Sequence, residues 1–488
     1  LMYDSRDRVA GSQEAKLRAV KSGQYHYTRY DVFNRPVEQG ICTEGSAYSA
    51  LRTTVKGSTG YTPGTRDALI YTYYDNYTTP STWGYSYTSV YSQHTQVNNV
   101  KELVTGIKTK ILGTSTWLYT VNYYDKYGRL LQQHQSNPEG GNNRVSMAYD
   151  FEGKVTDKQT LHKKTSGSTG ITLYENFTYD HMGRLTASKF GYNTTTLTTL
   201  ASNTYDNLGR LTTKQQHNNQ QSLNYTYNIR GWLTQINDPD AASSSSQLFA
   251  MRLYYDTDMS NLLAGSVQYN GNISGIKWRL YNNGSNQYKG YKFTYDGLNR
   301  LRQGDYGTYT SSWSNVSNYD LSSVVYDANG NITTLNCKNS GGADRENLSY
   351  SYSGGGNQLS SVSGTYNSVT GKSGSFTYNN NGDAISDGLR GITTVGYFSE
   401  INMPKQYYKD ASNKVDYTYD AQANKWSKTA TTSGTAATTL YYGPFVYVGA
   451  TLSKVLTPEG YYDPATGLYH YYLKDHLGDN RITYYYSG

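Results

Sequence analysis

The sequence predicts an all-β protein: a continuous series of antiparallel β-hairpins joined into one long sheet. Three observations predict it. A short motif of Tyr, Asp or Asn, two or three residues, Gly, Arg and an apolar residue recurs about ten times. The residues leading into it alternate with period two and are β-formers, as in Phe177-Thr178-Tyr179 and Tyr225-Thr226-Tyr227. The composition gives 55 Tyr, 48 Gly and 9 Pro in 488 residues, while only 82 are Leu, Ile, Val or Phe. Disordered chains are poor in aromatics. This chain is 14% aromatic, so its apolar burial is expected to rest on Tyr rings, which are apolar bodies with a polar tip.

The repeats set the organisation. Tyr3-Asp4 and Tyr30-Asp31 to Val37 open the series. Regular copies start at Tyr124-Asp125, Tyr149-Asp150, Tyr179-Asp180, Tyr205-Asp206 and Tyr227-Asn228. Looser ones start at Tyr295-Asp296, Tyr326-Asp327, Tyr378-Asn379 and Tyr419-Asp420, the last with its turn ending in Asn424. From Asp125 to Asn228 the spacings are 25, 30, 26 and 22 residues. Each unit reads as a hairpin. The Asp side chain accepts from backbone amides further on and starts a turn. Gly128, Gly183 and Gly209, or Asn299 in their place, supply the positive φ that ends it. Arg and Leu begin the return strand. The spacing suggests a four-residue connection around a type I turn. A lone hairpin is marginal, so many in series must pair edge to edge. Three segments follow: 1–122, strands with irregular insertions; 123–430, the regular repeats; and 431–488. Residues 40–122 match the motif least and are read as further strand with irregular loops. Glu14 to Val20 is the only stretch expected to form a turn of helix.

Several classes are excluded. No apolar run approaches the 18 residues of a membrane-spanning helix. No heptads are sustained, and the first eight residues carry no signal-peptide segment. Cys42 and Cys337 form neither a disulfide framework nor a zinc motif. The net charge of +7 comes from scattered Lys and Arg, Lys163-Lys164 being the longest basic run, so no nucleic-acid partner is expected.

The Tyr-Asp-x-x-Gly-Arg-Leu units resemble the YD repeats of the RHS repeat proteins, a family that also includes teneurins and the encapsulating C components of insecticidal toxin complexes. Tyr471-Tyr472-Leu473-Lys474-Asp475-His476-Leu477-Gly478-Asp479-Asn480-Arg481-Ile482 is similar to the start of the RHS-associated core, so the third segment, 431–488, is expected to open that core. The first 37 residues are similar to the large secreted RHS proteins of Bacteroidota. The resemblance implies a strip of hairpins wound in a spiral that forms part or all of a hollow β-shell. It implies a secreted or cell-surface bacterial protein enclosing its own C-terminal domain, often a toxin; the chain itself is expected to be a monomer. It further implies self-cleavage by Asp residues at the far end of the core. Asp463-Pro464-Ala465-Thr466-Gly467 superficially resembles that segment, but it precedes the Asp-His-Leu-Gly block, so we assign it a turn. The chain reads as a fragment of something longer, with the cleavage machinery and cargo beyond Gly488.

Chemistry is sparse. None of the eight His residues forms a His-Glu-x-x-His motif or sits near a Cys pair, and His470 and His476, six apart, are not expected to bind metal. His476 is expected to serve the turn of the core motif. Gly371-Lys372-Ser373 lacks the preceding Gly of a phosphate loop, and Gly354-Gly355-Gly356 is a hairpin turn. No Gly-x-Ser-x-Gly elbow occurs. No catalytic, cofactor-binding or metal residue is assigned and no cofactor is expected. The leading expectation is an encapsulating shell without enzymatic activity, its partners being the cargo domain and secretion machinery. The alternative is a cell-surface adhesin, with Trp83, Tyr85 and Tyr87 stacking on glycans.

Overall fold

The turn dictates the architecture. In a computed structural model, which describes all residues except 21–22, 47, 242–246, 257–266, 283, 310–312 and 487–488, Asp125 organises its loop with one carboxylate. Oδ1 accepts the backbone N–H of Tyr127 at 2.8 Å and of Arg129 at 3.0 Å, and Oδ2 accepts Arg129 Nε at 2.7 Å. The Gly128 N–H donates to the Asp125 carbonyl, and the Asp125 N–H to the Arg129 carbonyl, both at 3.0 Å. Asp180, Asp206 and Asp296 repeat the set. Three residues, not four, therefore connect Asp to Arg, the third with positive φ: Gly128 at 76°, Gly183 at 77°, Gly209 at 83° and Asn299 at 63°. In the Asp420 copy this position is Ala423 at 64°, one residue before the expected Asn424.

Among the described residues, strands pair antiparallel with their neighbours in sequence, except that Leu321–Tyr326 pairs past the short Trp313–Asn315 with Leu301–Tyr309, to give a sheet of 27 strands from Met2 to Asp387 and a second of ten from Thr394 to Tyr485. Strand accounts for 57% and helix for 3%. Just beyond each turn the register slips by a residue. Tyr179 faces Leu185 while Thr178 faces Ala187, leaving Thr186 unpaired in the ladder. The slip recurs at Tyr205, Tyr227, Tyr295 and Tyr378. A β-bulge bends its strand and sharpens the local twist, so bulges at one height in successive hairpins add up to a curl.

Successive units are clasped together. The Tyr149 hydroxyl donates to the Leu130 carbonyl of the preceding unit at 2.7 Å, and Tyr179, Tyr205, Tyr227, Tyr326 and Tyr352 do the same one unit further on each time. The Arg guanidinium of one unit lies over the Tyr ring of the next: Arg129 over Tyr149 at 5.0 Å, Arg184 over Tyr205 at 4.8 Å, Arg300 over Tyr326 at 4.5 Å. It also donates to the next Asp carbonyl, as Arg129 does to Asp150 at 3.1 Å. The Arg thus closes its own turn and grips the next.

The N-terminal part differs from its sequence reading. The helical stretch at Glu14 to Val20 forms α1 (Ala15–Val20), but residues 40–122 also hold α2 (Tyr48–Lys56) and a 3-10 turn, Pro80–Trp83. Leu51 and Val55, one turn apart on α2, join Met2, Tyr25 and Tyr27 in a small core. The change of sheet falls at residues 388–393, inside the 123–430 stretch of regular repeats. The largest core lies between the two sheets: Leu173, Phe190, Leu200 and Leu223 from the first meet Tyr442, Phe445, Tyr471 and Leu473 from the second.

Candidate functional site: the junction between the sheets

The ten-stranded sheet returns across one face of the larger one, and polar side chains are buried between them alongside the apolar core. On the large sheet, Val155–Lys163 presents His162 and Leu211–Gln216 presents Lys214 and Gln216. On the small sheet, Phe445–Val448 presents Tyr447, and Leu468–Lys474 presents Tyr469 and Tyr471. Period-two alternation places these on the facing sides.

His162 is fully buried. Its Nδ1 meets Asn143 Oδ1 at 2.6 Å, its Nε2 meets the Tyr447 hydroxyl at 2.8 Å, and its ring stacks on Phe445 with centroids 4.0 Å apart. Asn143 Nδ2 donates to the Tyr442 carbonyl at 3.3 Å. Burial pushes the His162 pKa down to about 4, so the ring is neutral, donating from one nitrogen and accepting at the other. Further along, Tyr192 stacks on Tyr462 at 4.7 Å, and Phe190 meets Tyr469 edge-on at 6.0 Å. His217 Nδ1 lies 3.1 Å from the Tyr471 hydroxyl, and Tyr484 donates to Gln216 Oε1 at 3.2 Å. Burial raises the Tyr471 and Tyr484 hydroxyls above their ordinary pKa and lowers that of His217.

Among the described residues, one ion pair crosses the junction. Glu459 accepts Lys214 Nζ at 2.8 Å and Gln216 Nε2 at 2.7 Å. It borders a cleft of about 440 Å³ between the sheets, lined also by Tyr225, Tyr472, Asp475 and His476. Asp475 and Gly478 rebuild the repeat turn: Asp475 Oδ1 accepts from Leu477 and Asp479 N–H at 2.9 and 3.0 Å, and Gly478 has φ of 88°. The Asp-His-Leu-Gly block is therefore another copy of the hairpin turn, and His476 sits inside it. Asp463 accepts the Ala465 N–H at 2.9 Å, and its carbonyl accepts Gly467 N–H at 2.8 Å, a turn as assigned. His470 is engaged in stacking on Tyr461 at 4.4 Å.

These contacts fasten and seal: the Tyr447 and Tyr471 hydroxyls that meet His162 and His217 belong to rings buried between the sheets. Among the described residues, no three His, Cys, Asp or Glu side chains are grouped to hold a metal ion. Trp83, Tyr85 and Tyr87, the expected stacking platform, are half-buried: Trp83 packs on Tyr119 at 5.0 Å, Tyr85 on His134 at 5.5 Å and Tyr87 on Tyr123 at 5.7 Å. Sequence reasoning missed the junction itself, because His162 and Tyr447 are 285 residues apart and neither sits in a motif.

Neither a known protein family nor a curated protein matches the sequence. Solved structures do. A crystal structure of TcdB2-TccC3 without its hypervariable C-terminal region aligns with 95% of this chain and 26% of its own, at 13% identity and a TM-score of 0.49. The structure of a Photorhabdus luminescens Tc holotoxin pore aligns with 96% of this chain and 30% of its own, at 10% identity and a TM-score of 0.32. This chain thus spans about a quarter to a third of the length of those chains.

Proposed function

We propose that the chain is wall material: a curved β-strip of the RHS and YD-repeat kind that encloses a polypeptide, without catalytic activity of its own. The enclosed guest is a C-terminal domain of the same protein, a toxin in this reading, and the setting is a secreted or cell-surface bacterial protein. The observation that carries the proposal is the surface. The chain exposes 24221 Å², whereas a compact protein of 54.6 kDa exposes about 18,000 Å². A third more surface is what a thin wall has and a filled globule lacks. The repeated bulge supplies the curl, and the Arg and Tyr clasps hold neighbouring hairpins to it. A face rich in Tyr hydroxyls and Asn amides meets water or a loosely held guest without the penalty of unsatisfied burial.

Small-angle scattering tests this. A solid domain of 488 residues has a radius of gyration of about 23 Å. The expected value exceeds that by several Å, with a hollow-body profile. A radius at or below the solid value would leave the sheet but remove the container. The adhesin reading gains nothing from Trp83, Tyr85 and Tyr87, whose rings are occupied within the fold.

A further inference from the structure

The two rims of the strip differ in chemistry. Between residues 49 and 268, the exposed large apolar side chains among the described residues are Tyr127, Phe151, Met182, Leu208 and Ile229. All five stand at the tips of the turns that an Asp, or Asn228 in its place, initiates, one per turn, with relative exposures from 69% for Met182 to 103% for Phe151 and Ile229. Leu298 continues the row at 72%. The connections on the opposite rim of this stretch are polar: Asn137 to Gly141, Thr165 to Ser168, Thr194 to Thr196 and His217 to Gln220. Isolated exposed apolar residues need no explanation, but confinement to one edge at a fixed interval does.

The interval follows from the sheet. Asp-initiated turns occur every second strand, and strands lie about 4.8 Å apart, so the tips are about 10 Å apart and five of them span about 40 Å. Five such side chains, each at least 69% exposed, offer area of the order of the roughly 800 Å² contributed by each partner in a standard protein interface. The electrostatics decide between occupants. Each Asp is paired within its own turn, Asp125 to Arg129 at 2.7 Å, Asp180 to Arg184 at 2.6 Å, Asp206 to Arg210 at 2.7 Å, and Asp150 to Lys154 at 3.4 Å. Lys126 and Arg230 add positive charge and Glu152 negative. The rim is close to neutral, which gives an anionic bilayer little to attract. An antiparallel rim of the same period can instead set its tips into the gaps between these, with the Asp and Arg of one turn beside the Arg and Asp of another.

We propose that this apolar rim is a self-association surface, and that its occupant is the same rim of a second copy of this chain, related by a two-fold axis. The pairing is isologous, so it closes at a dimer. The proposal stands independently of the container reading.

Sedimentation velocity over a concentration series tests it. Phe151→Ser with Ile229→Ser alters two tips whose side chains contact little else, and circular dichroism checks that the fold is kept. The expected result is a wild-type dimer, a dissociation constant at least about tenfold weaker in the double variant, and no change in Thr195→Ala on the opposite rim. A wild-type chain that stays monomeric overturns the proposal, as does a dimer indifferent to the tip substitutions or weakened equally by Thr195→Ala. Flotation of a monomeric wild type with phosphatidylcholine vesicles, lost in the double variant, would assign the rim to a lipid surface instead.

Discussion

One carboxylate per unit does three jobs, and the repeated sequence can be understood from that side chain. Asp125 accepts two backbone N–H groups and the Arg129 guanidinium, and these bonds hold its pKa below the ordinary carboxylate value despite the opposing effect of burial. Removing it leaves two amides and a guanidinium without their acceptor. Asp125→Ala is expected to cost about 2 kcal/mol, measured by urea denaturation. Asp125→Asn keeps the Oδ1 acceptor and should cost about half as much; the chain itself uses Asn228 and Asn379 at this place. The glycine position gives a second test. Gly209 has φ of 83° with Arg184 Nη1 at the edge of contact, so space is not the constraint; conformation is. Gly209→Val should destabilise by at least about 1 kcal/mol, whereas Gly209→Asn should be close to neutral, since Asn299 adopts the same angle. A Val variant as stable as the parent would mean that the turn does not constrain this residue.

Hairpins were legible in the sequence because everything that makes them lies within five residues. Tyr, Asp, Gly and Arg each act on a neighbour. Two more turns of the same kind, Asn137 to Gly141 and Asn339 to Ala343, escaped the reading because no Tyr-Asp precedes them, although Asn137 and Asn339 accept the same pair of amides. Helix α2 lies in a stretch that reads as strand because it is rich in Tyr and Thr, and only the Leu51 and Val55 spacing betrays its buried side. The junction was illegible for a different reason: what one sheet lays against another depends on curl accumulated over many strands. The junction has a pH signature. His162 has a folded pKa of about 4 against an ordinary 6.5, so between those values the unfolded chain binds a proton that the folded chain refuses. Stability is full above pH 6.5 and falls as the pH drops towards 4, by about 3 kcal/mol from this residue. The loss should appear in denaturation midpoints over that window and shrink in His162→Phe, while His134, which burial also holds down to about 4, keeps part of it. The turn aspartates add their own loss only at lower pH, below their ordinary 3.8.

At the scale of the molecule, cover is uneven. Strands from Ile171 to Tyr254 supply Leu173, Phe190, Leu200, Leu223 and Met251 to the inter-sheet core, while Asp344–Tyr352 and Val369–Tyr378 are mostly exposed or half-exposed along their length. Amide hydrogen exchange should therefore be slowest in the covered strands and markedly faster from 344 to 378; equal protection throughout would show that the second sheet contributes no local stability. The clasp between units has a consequence for size. Because each Arg grips only the next Tyr and Asp carbonyl, the geometry of one hairpin is indifferent to how many others exist. Inserting a unit lengthens the strip by about 10 Å and leaves the contacts within every other hairpin as they were. In the proposed container, capacity is therefore counted in whole hairpins, and gene duplication or deletion changes it in steps of some 22 to 31 residues.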